Sequence, residues 1–232
     1  VPCGRTVHPR QTNAAMIDLQ NVFKFYRTYS GKKVILDNVT MRFHTGVSYG
    51  LLGINGAGKS TTMRLLAGSE LPNSGKIVRR SRISWPLGFS VGMHPALTGR
   101  ENVNFVARLY GENPSQVIEY VEDFSELGSN MDEPFRTYSS GMAQKLAFGL
   151  SMAIAFECYL IDEVMAVGDA RFQKKCADAF GRRSAEADII MISHSMDTIR
   201  EYCGRCLVLA HGLIHEFSDV DDVIALYKKL NE

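Results

Sequence analysis

The chain has 232 residues, enough for one large domain or two small ones. Its 45% apolar and 22% charged residues are those of a globular protein, and 26 basic against 25 acidic side chains leave no net positive field to draw it onto nucleic acid or anionic lipid. The longest apolar run, Leu146 to Phe156, has 11 residues, and a membrane-spanning helix needs about 20, so the chain is not expected to cross a bilayer by itself.

In chain order, residues 1–15 (VPCGRTVHPRQTNAA) begin with Val and lack the apolar core of a secretory signal. They read as a disordered extension or a trimmed fragment. Residues 16–52 run apolar in short pieces, MIDLQNVFKFY, VILDNVTMRF and VSYGLLGI, with turn signals at Ser30-Gly31 and His44-Thr45-Gly46. That pattern predicts three strands, an N-terminal β region of antiparallel type. The third strand runs into Gly53-Ile54-Asn55-Gly56-Ala57-Gly58-Lys59-Ser60, and Thr61 continues a helix, TTMRLLAG, that Pro72 to Gly75 closes. KIVRRSRISW reads as a further strand pair. Residues 98–131 carry helical spacing, and SGMAQKLAFGLSMAIAF is a third helix of that block, capped by Ser139 or Ser140. Cys158 to Ile161 is a short buried strand ending in Asp162-Glu163. A helix near 169–183, the strand DIIMIS, another helix and the strand CLVLA follow, and after a turn at His211-Gly212 the segment VDDVIALYKKL reads as a last amphipathic helix.

Strands alternating with helices predict a parallel α/β core. It divides into about 16–85 and 151–230, with a helical subdomain at about 86–150 between the halves. The five cysteines form no disulfide framework, and Cys203-Gly-Arg-Cys206 lacks the second pair a zinc site needs, so it reads as two small residues entering a strand. The expected compartment is the cytosol.

The glycine loop between strand and helix carries the first chemistry. Gly53-x4-Gly58-Lys59-Ser60 is the full phosphate-loop pattern: its glycines let backbone N–H groups turn inward around a β-phosphate, and the helix N-terminus adds partial positive charge. Lys59 supplies a cation between the β- and γ-phosphates, and the Ser60 hydroxyl is a ligand for Mg²⁺. About 100 residues on, an apolar strand carries Asp162 to the edge of the sheet, where it can hold Mg²⁺, and Glu163 is placed to polarise an attacking water. These motifs imply ATP and Mg²⁺ but are shared with nucleotide kinases and helicases.

Tyr138-Ser139-Ser140-Gly141-Met142 separates those classes. Here the sequence resembles the ABC transporter ATPases, whose signature reads LSGGQ. Ser139 and Gly141 match it, Ser140 stands in the first Gly position and Met142 in that of Gln. The resemblance covers roughly residues 16–230 and implies a P-loop ATPase fold with two ATPs held between the phosphate loop of one chain and the Ser139 region of another. It also implies a D-loop at Ala166-Val-Gly-Asp169, with Asp169 facing the opposite subunit. His194 is implied as the γ-phosphate contact of the H-loop, and Tyr26, ahead of Tyr29, as the aromatic that stacks on adenine.

One departure stands out. The family's Q-loop glutamine is missing, since no Gln occurs between Ser60 and Gln116; Ser90 or His94 is the candidate to stand in for it. SWP before LTGREN, YSSGM and DEVMAVGDARFQKKC together resemble the ATPases that export polysaccharides, closest to the capsular exporters of Gram-negative bacteria. Some members of the group it resembles carry an extra C-terminal carbohydrate-binding domain; with the sequence stopping after YKKLNE none is expected here, which favours the capsule type. The resemblance thus implies a homodimer on the cytoplasmic face of the inner membrane, beneath integral permease subunits. The polysaccharide is handled indirectly, and no nucleic acid is involved. O-antigen or another cargo is the nearest alternative. A soluble ABC-type ATPase and a small-molecule kinase are remoter ones. Trp85, Phe89, Leu97 and Phe105 are expected either to line a groove for the membrane subunit or to pack as ordinary core.

Overall fold

A computed structural model describes residues 14–29, 31–87, 93–162, 169–193, 195–217 and 223. Two sheets organise it. The first is antiparallel, ordered β2-β1-β4, from β1 (Ala15–Thr28), β2 (Gly31–His44) and β4 (Ser74–Arg79). The second has six strands, from β3 (Tyr49–Leu52), β5 (Ile83–Leu87), β6 (Cys158–Asp162), β7 (Asp188–Ile192), β8 (Arg205–Ala210) and β9 (Leu213–Phe217), ordered β5-β6-β7-β3-β8-β9. All its neighbours are parallel except the β8–β9 pair. The described residues also form six α-helices, α1 (Lys59–Ala67), α2 (Gly99–Leu109), α3 (Pro114–Ser125), α4 (Ser140–Ala153), α5 (Ala170–Ser184) and α6 (Met196–Tyr202), and two short 3-10 helices between α3 and α4.

The period-two alternation of the strands sorts the core into two layers. On β6, β7 and β8, Leu160, Ile190 and Leu207 face the antiparallel sheet and α1 with Met63, Leu65 and Leu66. Tyr159, Ile161, Met191 and Val208 face the other way, toward α2 to α6. There Phe124 stacks on Phe148 (5.9 Å) and meets Phe172 edge-on (5.5 Å), while Gly149 leaves the room that this α3–α4 approach needs. Strands buried on both faces read as continuous apolar runs, which is why the parallel core was legible. Among the described residues no helix is long and apolar enough to cross a membrane.

Three details depart from the sequence reading. Ala15 joins the antiparallel ladder opposite His44, and Ala14 O accepts from Thr45 N at 3.0 Å, so these two residues of the expected extension belong to the fold; residues 1–13 lie outside the described ones. KIVRRSRISW does yield two strands, but they part company: β4 pairs with β1 and β5 with β6. The cause is local. Pro86 has no N–H to give and sits on an edge strand, and the buried Ser84 hydroxyl accepts from Leu160 N at 2.8 Å where the register shifts. Third, β9 was not expected. His211 and Gly212 both take positive φ (49° and 79°), the geometry of a two-residue hairpin turn, and Ala210 pairs with Leu213. Of the apolar residues expected either in a groove or in the core, Trp85 packs in the core, edge-on to Tyr110 and Phe156, whereas Phe105 is exposed and Leu97 half-buried; Phe89 lies outside the described residues, as does the final helix apart from Val223. Cys203 and Cys206 are both buried apolar residues at the entry to β8, as expected.

Candidate nucleotide-binding site

β3 is buried along its whole length between β7 and β8 and delivers Gly53 at the carboxyl edge of the parallel sheet, where α/β folds place their ligands. Gly53 (φ +153°) has no room for a side chain, since a Cβ would lie 2.6 Å from Leu209 O. Gly58 (φ +108°) is tighter still, its absent Cβ overlapping Ile35 Cγ2. Gly58 is also the N-cap of α1 and offers no side-chain acceptor, so the first N–H groups of this nine-residue helix point toward the loop uncapped. Lys59 Nζ donates to Gly53 O (2.7 Å) and Ile54 O (3.2 Å), closing the loop on itself.

The loop floors a cleft of about 330 Å³ lined by Tyr26, Lys33, Ile35, Asn55, Gly56, Gly58, Lys59, Ser60, Thr61, Asp162 and Ile192. Asp162 ends β6 beside Ile192 of β7 and is 9% exposed. Its carboxylate has no hydrogen-bond or ion-pair partner among the described residues, and the Ser60 hydroxyl lines the same cavity. One hard carboxylate and one hydroxyl suit Mg²⁺, which keeps waters and phosphate oxygens as its remaining ligands. No cluster of three or more metal-binding side chains exists among the described residues, so such an ion would depend on the nucleotide for much of its shell.

Tyr26 forms a wall of this cleft, and its hydroxyl is held from behind. It donates to Glu70 Oε1 at 2.5 Å and lies 3.3 Å from Arg64 Nη2 and 3.4 Å from Thr61 Oγ1. Lys24 Nζ reaches the same carboxylate at 2.7 Å, and Arg64 Nε its other oxygen at 3.0 Å. Burial raises the Glu70 pKa, but the hydrogen bonds from Lys24, Tyr26 and Arg64 outweigh it and bring it from 4.5 to about 2. The folded-state value is depressed, so Glu70 contributes stability that is complete above pH 4.5 and lost as pH falls toward 2. After allowance for solvent screening this amounts to roughly 2 kcal/mol. Thermal melts across that window are expected to fall less steeply for Glu70→Gln than for the natural chain; parallel slopes would refute the assignment. Tyr29, the other aromatic candidate, is fully exposed and outside the cleft.

The signature turn sits elsewhere. Ser139 is the N-cap of α4, its Oγ accepting from Met142 N at 3.3 Å, with Ser140 and Gly141 in the first turn and the Met142 side chain packed against the helical core. None of the four lines the phosphate cleft of its own chain. Asp169 caps α5, accepting from Phe172 N at 2.9 Å. His94 is a turn residue tied to Asn102 and does not line the cleft, so it gains no support as the replacement for the missing glutamine. Glu163, His194 and Ser90 lie outside the described residues.

Comparison with known proteins decides the family. The family described as "ABC transporter" matches residues 36–166, more than half of the chain. The chain belongs to the ABC transporter family. Among ABC relatives it is 45% identical to the ATP-binding protein BexA of Haemophilus influenzae, covering 92% of this chain and 99% of that protein. It is 46% identical to the polysialic acid transport ATP-binding protein KpsT of Escherichia coli, with 92% and 99% covered. It is 43% identical to the capsule polysaccharide export ATP-binding protein CtrD of Neisseria meningitidis, with 93% and 100% covered. A solved ATP-binding subunit of an ABC transporter superposes with a TM-score of 0.73 at 20% identity, covering 94% of this chain and 100% of that one. The ABC cassette fold is therefore the fold expected from the sequence.

Within this ABC cassette, sequence reasoning overlooked Lys33, Ile35 and Ile192 in the cleft and Glu70 behind it. Lys33 had a usable signal: in the β1–β2 hairpin it pairs directly with Tyr26, so naming one strand position fixes the other. Glu70 had none, because a loop brings it back onto β1.

Proposed function

We propose that the chain is the ATP-hydrolysing subunit of an ABC exporter that moves capsular polysaccharide across the inner membrane. It would act as a homodimer on the cytoplasmic face, beneath integral permease subunits that meet the polymer. The observation that carries the cargo class is the 43–46% identity to capsule and polysialic acid transport proteins over nearly the full length of both partners. Teichoic acid and O-antigen exporters match at 32–36%, which ranks those cargoes behind.

The site supports the chemistry. The uncapped N–H groups of α1 and the Lys59 ammonium bind the β- and γ-phosphates, and Ser60 and Asp162 hold Mg²⁺, which supplies charge neutralisation when bound. Asn55, Gly56, Ala57 and Thr61 complete the phosphate cradle together with Gly53, Ile54 and Gly58, and Tyr26 takes the adenine. Residues 86–150 act as the helical subdomain between core halves 16–85 and 151–230, and they present Ser139 to Met142 to the nucleotide of the other chain. The position of that turn away from its own chain's cleft favours a two-chain site. Glu163 polarises water, His194 contacts the γ-phosphate and Asp169 faces the partner. Phosphoryl transfer needs mainly positioning and charge stabilisation. The γ-phosphate bridges the chains only before hydrolysis, and that difference drives reopening.

Cells carrying only Glu163→Gln are expected to accumulate polymer in the cytoplasm with none at the surface. Normal surface polymer would reject the cargo. Fractionation separates the remaining rivals, since an exporter subunit pellets with membranes and is released by chaotrope, whereas a soluble ABC ATPase or a kinase stays in the supernatant.

A further inference from the structure

The Glu70 carboxylate stands behind the nucleotide cleft and does not line it. Three donors from two elements converge on it: Lys24 and Tyr26 from β1, and Arg64 from α1. Its backbone is held as firmly. Gly68 ends α1 in the left-handed region (φ +83°), which turns the chain so that Glu70 N donates to Arg64 O at 3.2 Å. The loop is then sewn to β1 by Asn73 N to Phe23 O (2.8 Å) and Phe25 N to Asn73 Oδ1 (2.7 Å). Lys24, nearly buried, spends a further bond on Leu71 O at 2.8 Å.

A clamp between β1 and α1 would need only Lys24, Arg64 and the carboxylate. The Tyr26 phenol is the one donor of the three that also faces the cavity, and a tyrosine held at Cα alone can swing its ring about two torsions. We propose that Glu70 is a positioning residue for recognition of the nucleotide base: by holding the Tyr26 hydroxyl it sets the pitch of the ring against adenine. Arg64 extends the link to the phosphate loop, because its Nη2 donates to Thr61 Oγ1 at 3.1 Å in the first turn of α1. Two cations face the one carboxylate, so Glu70 does not repel the phosphates, and its depressed pKa keeps it an acceptor at neutral pH. The inference rests on the reading of Tyr26 as the adenine platform.

The test is calorimetric titration of the full chain with ATP and with inorganic tripolyphosphate, which has no base. Glu70→Ala and Tyr26→Phe are each expected to raise the ATP dissociation constant about five- to tenfold, the loss of a ring set in advance for the base, and the double variant no further. Tripolyphosphate binding should not weaken in any of them. Equal weakening of both probes, additive loss in the double variant, or natural ATP affinity in Tyr26→Phe would each overturn the proposal. If Glu70→Ala does not fold, Tyr26→Phe alone decides the matter. Tyr26→Ala separates the two readings. Unchanged ATP affinity there removes the adenine platform and this inference with it. A loss there, with natural affinity in both Glu70→Ala and Tyr26→Phe, keeps the platform and removes the positioning role.

Discussion

Lys59→Ala is expected to weaken ATP binding by about 100-fold while leaving the fold intact. In this structure the ammonium donates to Gly53 O and Ile54 O, so it already sits inside the loop proposed to hold the phosphates. With ATP present those donors are free to turn to the β- and γ-oxygens. Charge-assisted bonds of this type contribute roughly 1.5–3 kcal/mol each. Losing the cation also leaves the nucleotide's phosphates facing the Asp162 carboxylate with no positive charge from the loop. A total near 3 kcal/mol corresponds to the stated fold-change. Stability should change little, since the two carbonyls regain water when the side chain is gone. Lys59→Arg should not restore binding: a planar fork cannot occupy the loop as a compact point charge does. Calorimetry on both variants checks this, with melting temperature as the control. Unchanged affinity in Lys59→Ala would dismiss the cleft as the phosphate site.

What the sequence disclosed and what it withheld follow one physical division. The phosphate loop was legible because its chemistry is contiguous: each of Gly53, Gly58, Lys59 and Ser60 has its reason within eight residues. Gly58 shows the boundary of that legibility. The pattern requires glycine there, but the side chain that forbids a Cβ is Ile35, from another strand. The parting of β4 from β5 depends on Ser84 meeting Leu160 across 76 residues of sequence, which no local pattern encodes. β9 was missed for a different reason. Its residues, LIHEF, are mostly exposed, so apolar periodicity is weak, and the turn's two positive φ angles are a backbone property that His211 does not advertise. Glu70 belongs with Ser84: an acid in SELPNS reads as a solvated turn until the loop folds back and places two cations and a phenol against it. The signature occupies a middle ground. Ser139 was legible as a helix cap, and its order along the chain identified the family. Its distance from the cleft of its own chain emerged only with the fold.

Glu163→Gln is expected to abolish turnover without abolishing binding, and so to separate the two halves of the proposed cycle. Glutamine keeps the size of the side chain and loses the ability to take a proton from water. A positioned general base contributes about 10²- to 10⁴-fold to rate, and hydrolysis should fall by that order. ATP affinity should remain close to natural, because the contacts proposed for the phosphates come from Lys59, α1 and the Ser139 turn. The consequence is a dimer that closes and stays closed: with the γ-phosphate never cleaved, the group that bridges the chains is never lost. Size-exclusion chromatography of the variant with ATP and Mg²⁺ should therefore show a persistent dimer, where the natural chain returns to monomer as ATP is consumed. The same variant carrying Ser139→Ala tests whether the bridge runs through the signature turn. Removing the hydroxyl also removes the α4 cap, a cost of about 1 kcal/mol to the fold, so a melt must accompany it. Loss of the trapped dimer with ATP still bound to each chain would place Ser139 on the nucleotide of its partner. Natural turnover in Glu163→Gln would remove Glu163 as the base, and a trapped dimer that survives Ser139→Ala would move the bridging contact away from that serine.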